Sequence, residues 1–329
     1  MSKRVTRIYA CGGGAIKITA DLVDYVNVPG FSDTKVSRLD TSDKNLTANM
    51  PQSSVFVLEG ADGSGKQRDH NFKPVVAAMS KILAQHQPED YNIVIFTAGG
   101  GSGSVIGPVL IGELLQRKAP VIALVIGTTG DETQAQNSVN TIKSLGGIQQ
   151  QHKRPVVFSY FEVNQHFDQA DVDNQVRNVL TGLLNLLDSD NTIIDNKDIV
   201  NLLDWTNVRN LNIPAQLVSL ELFVDDELDE LTGKAPITMA SIYPDEKRKY
   251  LPVVPAYSTD GIRSAAAVQN SPELAKVTMH YVIHAGPVAP ALRNLENTLQ
   301  RIRDNQRAQS ETSTVLGGDD NVESNGMVL

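Results

Sequence analysis

The chain has 329 residues, a formal net charge of −9, and 41% hydrophobic against 20% charged residues. This is the composition of a globular protein that buries a core without staples, and it excludes a general nucleic-acid or anionic-membrane surface, which needs clustered positive charge. No apolar run approaches the ~20 residues of a membrane span, MSKRVTRIYA has no apolar segment before a cleavage site, and Cys11 is the single cysteine, so a soluble protein of a reducing cytoplasm is expected.

Strands are expected at Val5–Ala10, Lys35–Leu39, Ser54–Leu58, Tyr91–Thr97, Pro120–Ile126 and Pro155–Tyr160. Most are apolar along their length, as strands covered on both faces are. Helices are expected between them at Ala15–Tyr25, Phe72–His86, Pro108–Arg117 and Thr133–Leu145, with Pro108 in a first turn, where its missing N–H costs nothing. This alternation predicts an α/β fold with a doubly wound, mostly parallel sheet. Asp171–Asp188 reads as one long amphipathic helix with Asp171 at its N-cap, and a shorter helix starts near Asp195. Ala215–Phe223, Thr238–Ser241 and Lys276–His284 read as strands of a smaller second α/β region. A helix introduced by Pro287 and Pro290 carries Leu292, Leu295, Leu299 and Ile302 on one stripe to about Ala308, and an extended acidic tail follows Gln309. The expected division is 1–170, a central helix and following loop at 171–213, the second region at 214–286, the C-terminal helix at 287–309 and the tail at 310–329.

Three glycine-rich loops follow predicted strands: Cys11-Gly12-Gly13-Gly14-Ala15, Gly60-Ala-Asp-Gly63-Ser64-Gly65-Lys66 and Gly99-Gly100-Gly101-Ser102-Gly103-Ser104. At the carboxyl edge of a parallel sheet, glycine lets backbone N–H groups converge on an anion, and a following helix adds its positive end. Each loop alone also reads as a tight turn. The first approximates a dinucleotide fingerprint with Lys17 in place of the third glycine; the second approximates a P-loop with Gln67 in place of Ser/Thr.

The third loop, between a buried strand and a helix, closely resembles the G-G-G-T-G-S-G signature of the tubulin/FtsZ family, with Ser102 for Thr and Val105 for the last glycine. The resemblance implies a GTPase that binds GTP or GDP with Mg2+. It makes Gly12, Gly13 and Gly14, then Gly63, Ser64 and Gly65, then Gly99 to Ser104 phosphate-binding, and puts Asp43, in the Asp40–Asn45 run, within reach of Mg2+ through water. No protein residue is expected to ligate the metal directly. Gly127–Thr133 falls beside the ribose. Asn164 and Asn174 would read the guanine edge, since two amides offer both donors and acceptors; read alone, they are a turn residue and a first-turn cap partner. The family's base-stacking aromatic is replaced by Ala170, with Phe167 the nearest substitute.

Asp195 and Asp198, spaced D-x-x-D, read on their own as ordinary helix capping. In the family, paired acids at this place meet the nucleotide of the next subunit and orient the attacking water, so both are catalytic candidates and hydrolysis would depend on assembly. The tail holds Asp319, Asp320 and Glu323 beside Met327 and Val328. It reads either as solvated or as a filament contact that docks on a neighbour's basic helix, where Arg293, Arg301, Arg303 and Arg307 lie.

Val105 in the signature loop, the run Asp40–Asn45 and the tail's acids resemble the bacteriophage members of the family along essentially the whole chain. That resemblance implies a homopolymer in the infected bacterium's cytoplasm that positions phage DNA at the cell centre, with phage DNA-associated or capsid cargo and no direct contact to nucleic acid or membrane. The alternatives are a monomeric, Rossmann-like nucleotide-dependent enzyme and a structural filament with inert nucleotide. Because Cys11 lies in the first loop, alkylating it is expected to impair nucleotide binding.

Overall fold

The computed structural model describes residues 3–315 except 23, 25, 62, 165, 249 and 271–275. Ten strands form one sheet: β1 (Val5–Cys11), β2 (Asp33–Asp40), β3 (Val55–Val57), β4 (Tyr91–Thr97), β5 (Val121–Gly127), β6 (Val156–Glu162), β7 (Leu217–Val224), β8 (Thr238–Tyr243), β9 (Tyr257–Ile262) and β10 (Met279–His284). Their order is β3-β2-β1-β4-β5-β6-β7-β10-β8-β9. The pairs from β3 to β7 are parallel, and β10 runs antiparallel to both β7 and β8. The expected α/β, mostly parallel architecture is therefore present.

Alternation along each strand divides the core between two faces. Ile8, Ala10, Ile93, Ile95, Ile122 and Leu124 pack with α1 (Gly13–Ile18), α5 (Gln169–Leu186) and α6 (Asn196–Leu203). Tyr9, Cys11, Val94, Phe96, Ala123 and Val125 pack with α2 (Arg68–Gln85), α3 (Gly103–Gln116), α4 (Glu132–His152) and α8 (Val288–Val315). Apolar positions on both faces explain why these strands read as continuous hydrophobic runs. α7 is a short helix at Ala265–Asn270.

Several expected boundaries are corrected. The helix expected over Ala15–Tyr25 ends at Ile18, because Thr19 turns its hydroxyl back onto the Ala15 carbonyl and buried Arg38 takes the Thr19 and Leu22 carbonyls. Pro108 lies in the second turn of α3, because that helix starts at Gly103; Pro74 is placed likewise in α2. Each proline forfeits one intrahelical bond inside an otherwise packed helix. α4 continues through Gly146 and Gly147 to His152, held against α3 and α8. The N-cap of α5 is Asp168, and Asp171 is the third residue of that helix, returning a hydrogen bond to the Asp168 N–H. α8 passes Gln309 and reaches Val315. Strand β9 and helix α7 are additions, since Tyr257–Ile262 lacks the apolar run of a buried strand. Asp319, Asp320, Glu323, Met327 and Val328 lie outside the described residues.

Candidate functional site

Strand order turns back between β1 and β4, so the loops after β1 and β4 diverge on either side of a crevice at the carboxyl edge of the sheet, where ligands of such folds bind. All three glycine loops lie on this edge. Gly12 sits there with φ +81 and donates its N–H to Leu39 O at 2.7 Å. A β-carbon on Gly12 would stand 2.7 Å from Gly103 N, and one on Gly103 would stand 2.6 Å from Cys11 O, so the two loops touch backbone to backbone.

The helix caps distinguish the glycine loops from the neighbouring loops of the same edge. The helices that follow the three glycine loops, α1, α2 and α3, have no side chain bonded to their first N–H groups. The next three helices, α4, α5 and α6, are each capped by an aspartate: Asp131, Asp168 and Asp195. A helix start without a side-chain cap, beside loops of glycine, leaves donors for an anion.

The Asp40–Asn45 loop closes on the second and third glycine loops. Thr41 and Ser102 hydroxyls are hydrogen-bonded at 2.6 Å, and Gly63 donates its N–H to Thr41 O at 3.1 Å. Asp40, which the sequence did not single out, is buried here and accepts from Thr41 N at 2.7 Å and Asn45 Nδ2 at 3.2 Å; burial pushes its carboxyl above the ordinary range. Asp43, the residue expected near Mg2+, is exposed. Among the described residues no group of three or more His, Cys, Asp and Glu could hold a metal ion. The available donors are hydroxyls and carboxylates, the oxygen set that suits Mg2+ carried on phosphates.

The second glycine loop lies over the third. A β-carbon on Gly101 would collide with the Ser64 hydroxyl. Asn137 Nδ2 donates to Lys66 O at 2.9 Å and to Gly99 O at 3.2 Å, and Lys66 Nζ pairs with Asp131 Oδ2 at 2.6 Å. Ser104 is buried, its hydroxyl turned back to Gly101 O at 3.4 Å.

At the other end of the crevice, Asn164 Oδ1 accepts from His166 N and Phe167 N at 2.8 and 3.1 Å, an Asx turn. Asn174 is exposed one turn into α5, and its Oδ1 accepts from Arg177 Nη1 at 3.2 Å. Arg177, another residue the sequence did not point to, also donates from Nε to Ile18 O at 3.2 Å, so it ties the end of α1 to Asn174. Phe167 is 45% exposed and Ala170 is exposed.

Cys11 corrects an expectation. Its side chain is fully buried against the second core layer, and burial pushes the thiol far up, so the alkylation expected to impair binding has no access to it.

Asp195 and Asp198 form a reciprocal capping box. Asp195 Oδ1 accepts from Lys197 N at 2.7 Å and Asp198 N at 3.0 Å, while Asp198 Oδ2 accepts from Asp195 N at 2.9 Å. The N–H of Asp198 holds the Asp195 carboxyl below its ordinary range. Tyr257 donates its hydroxyl to Asp198 Oδ1 at 2.9 Å, leaving that side chain fixed at the surface. The pair is not near the glycine loops: Tyr91, at the start of β4, bonds Asn196, whereas the third glycine loop begins after Thr97, at the strand's end.

Fold and crevice together define a doubly wound α/β protein whose carboxyl-edge crevice is lined by glycine loops. No family model matches the chain. It is 30% identical to the phage tubulin-like protein of Pseudomonas phage PhiPA3 and 28% identical to that of Pseudomonas phage phiKZ, over the whole chain and 100% and 99% of those proteins. The chain belongs to the phage tubulin-like proteins. Among solved structures it is similar to the protofilament of TubZ from bacteriophage PhiKZ, with 26% identity and a TM-score of 0.80 over 98% of this chain and 95% of that one. It also shares the fold of the phage tubulin PhuZ bound to GDP, with 24% identity and a TM-score of 0.83 over the full length of both. The fold is thus that of tubulin and FtsZ.

Proposed function

We propose that this protein binds and hydrolyses GTP and polymerises with copies of itself, and that each active site is completed by the next subunit. The observation that carries this reading is the opposition of two groups: three helix starts without a side-chain cap adjoin glycine loops on one edge, and the two expected catalytic acids sit at the other end of β4.

In this reading Gly12–Gly14, Gly63–Gly65 and Gly99–Ser104 bind phosphates through backbone N–H groups, with Ser64, Ser102 and Ser104 adding hydroxyls. Mg2+ would ride on the phosphates near Asp40, Thr41, Asp43 and Ser102, and when bound it neutralises charge on the terminal phosphate. Asn174 reads the guanine edge from α5, and Asn164 does so after its turn opens or through its free amide hydrogens. Asp195 and Asp198, presented by the capping box and by Tyr257, orient the attacking water for the nucleotide of the subunit below. Phosphoryl transfer to water depends mainly on such positioning.

β4 spans seven residues, which at ~3.3 Å per residue separates the two ends by roughly 20 Å. One subunit therefore does not bring Asp198 to its own nucleotide, and a head-to-tail stack does. The tail, with Asp319, Asp320, Glu323, Met327 and Val328, would add a second contact. Of its proposed acceptors, Arg293, Arg301 and Arg307 are exposed, while Arg303 is engaged with Glu132 at 2.7 Å. The polymer would act in the host cytoplasm to position phage DNA, with phage DNA-associated or capsid cargo and no direct contact to nucleic acid or membrane. No helix among the described residues is long and apolar enough to cross a membrane.

Sedimentation with GTP against GDP, paired with phosphate release, tests the reading. Pelletable polymer and phosphate release with GTP are expected. Release without polymer would favour a monomeric nucleotide-dependent enzyme, and polymer without release a structural filament.

A further inference from the structure

The loop that leads into Asp195 holds a strained residue. Ile193 has φ +74, and among the described residues it is the only β-branched side chain in the left-handed region. The other five non-glycine residues there are asparagines and lysines. A β-branched residue in that region is an outlier, because its Cβ crowds the following carbonyl, and it persists only where the surroundings impose it.

The neighbours on both sides impose it. Thr192 is clamped to Ile262 by two backbone hydrogen bonds, of 2.8 and 3.0 Å. Ile194 is 5% exposed and fills the core beside Gly261, where a β-carbon would stand 2.8 Å from the Ile194 Cγ2. Asp195 is held by its capping box. Ile193 is squeezed between these anchors, with its side chain 63% exposed. Asparagine or glycine would take the same backbone at less cost. A lone exposed isoleucine needs no explanation. One held in water against its own backbone preference points to a surface that covers it.

That surface lies at the other end of the molecule. In the head-to-tail stack proposed above, the end that carries Asp195, and Ile193 with it, faces the crevice of the adjoining copy. The Asn164 end of the crevice presents Phe167, 45% exposed, near exposed Ala170. The main chain of Phe167 is fixed as well: its N–H donates to Asn164 Oδ1 at 3.1 Å and its carbonyl accepts from Asn164 N at 3.0 Å. Two apolar side chains on pinned backbones lose little conformational entropy when they meet.

We propose that Ile193 seats on Phe167 of the adjoining copy, as an apolar contact between subunits at the rim of the shared crevice. The partner is a second copy of this chain, and the inference rests on the head-to-tail reading above. The strain at Ile193 is then a cost to the folded subunit that the assembled polymer offsets by burying the side chain.

The test compares the full-length wild-type chain with Ile193→Asn. Asparagine tolerates the left-handed backbone, so the thermal midpoint is expected to hold or to rise by about 2 °C. Loss of the apolar contact is expected to raise the threshold concentration for pelletable polymer with GTP about fivefold or more. A second variant reads the contact itself. Polymer of chains carrying both Ile193→Cys and Phe167→Cys, pelleted above its own threshold, is expected to give a ladder of joined chains with a short bis-maleimide, and neither single variant should do so. Cys11 is buried and does not compete. An unchanged Ile193→Asn threshold, a midpoint that falls by several degrees, or polymer of the double variant without a ladder would overturn the proposal. A wild-type chain that forms no polymer with GTP would overturn the head-to-tail reading as well, whereas normal wild-type polymer with an unchanged Ile193→Asn threshold would sink this proposal alone.

Discussion

The Tyr91 hydroxyl donates to Asn196 Oδ1 at 2.7 Å and accepts from Arg4 Nη1 at 3.1 Å, which pins the start of α6 beside the first residue of β4. The glycine loop leaves the last residue of that strand. Asp195 and Asp198 are therefore held rigidly, with their backbone N–H groups satisfied, at the end of the subunit opposite the crevice they are proposed to serve. A capping box is usually a local device for starting a helix. Here the same hydrogen bonds also fix two carboxylates at that end of the subunit.

Asp198→Ala is expected to retain GTP binding and polymer formation and to lose turnover by about a hundredfold or more, the range typical of a positioned proton acceptor. Loss of the N3 partner and of the Tyr257 contact should lower stability by only about 1 kcal/mol. Phosphate release and sedimentation on the same sample check both halves; a polymer that hydrolyses normally would remove Asp198 from the mechanism.

Native Cys11 is expected to resist thiol reagents from pH 7 to 9, because desolvation raises its pKa and leaves almost no thiolate to react. Full labelling should appear only in denaturant. Rapid labelling of the folded chain, measured by mass shift, would mean that the first glycine loop opens.

The ring of His86 is buried, and burial together with the nearby Arg7 charge pushes its pKa down from 6.5 to about 4. The unfolded chain therefore takes up this proton first as pH falls. Its contribution to stability is fully present above about pH 6.5 and is lost progressively down to about pH 4, below which it stops changing. His86→Gln should flatten the acid limb in that window. Thermal midpoints of the two proteins between pH 7 and 4 provide the comparison, and parallel curves would count against the assignment.

Removing residues 318–329 is expected to weaken polymerisation strongly while leaving GTP binding intact. Light scattering with GTP and nucleotide binding on the same truncated chain measure the two effects. Unchanged scattering would assign the tail's acids to solvation.

The glycine loops were legible because their signal is local: glycine clusters directly after apolar runs, with periodic helices beyond. Strands β1, β4, β5 and β6 were legible for the same reason. Asp40 was not, because its burial depends on Asn45 and Thr41 folding over it. Arg177 was not, since it acts by touching Ile18, far away in sequence. Residues Tyr257–Ile262 form a strand only by pairing beside β8, without an apolar run of their own. Pro108 misplaced one helix start because the tertiary packing of α3 outweighs one lost bond. D-x-x-D at Asp195 was legible both as a cap and as a catalytic pair, and the structure confirms the cap geometry while placing the pair at the far end of β4.

The most direct test of the account is GTP turnover per subunit as a function of total protein concentration. An active site shared between subunits predicts near-zero turnover below a threshold and a steep rise above it, coincident with pelletable polymer. Turnover per subunit that stays constant across the same concentrations would contradict it.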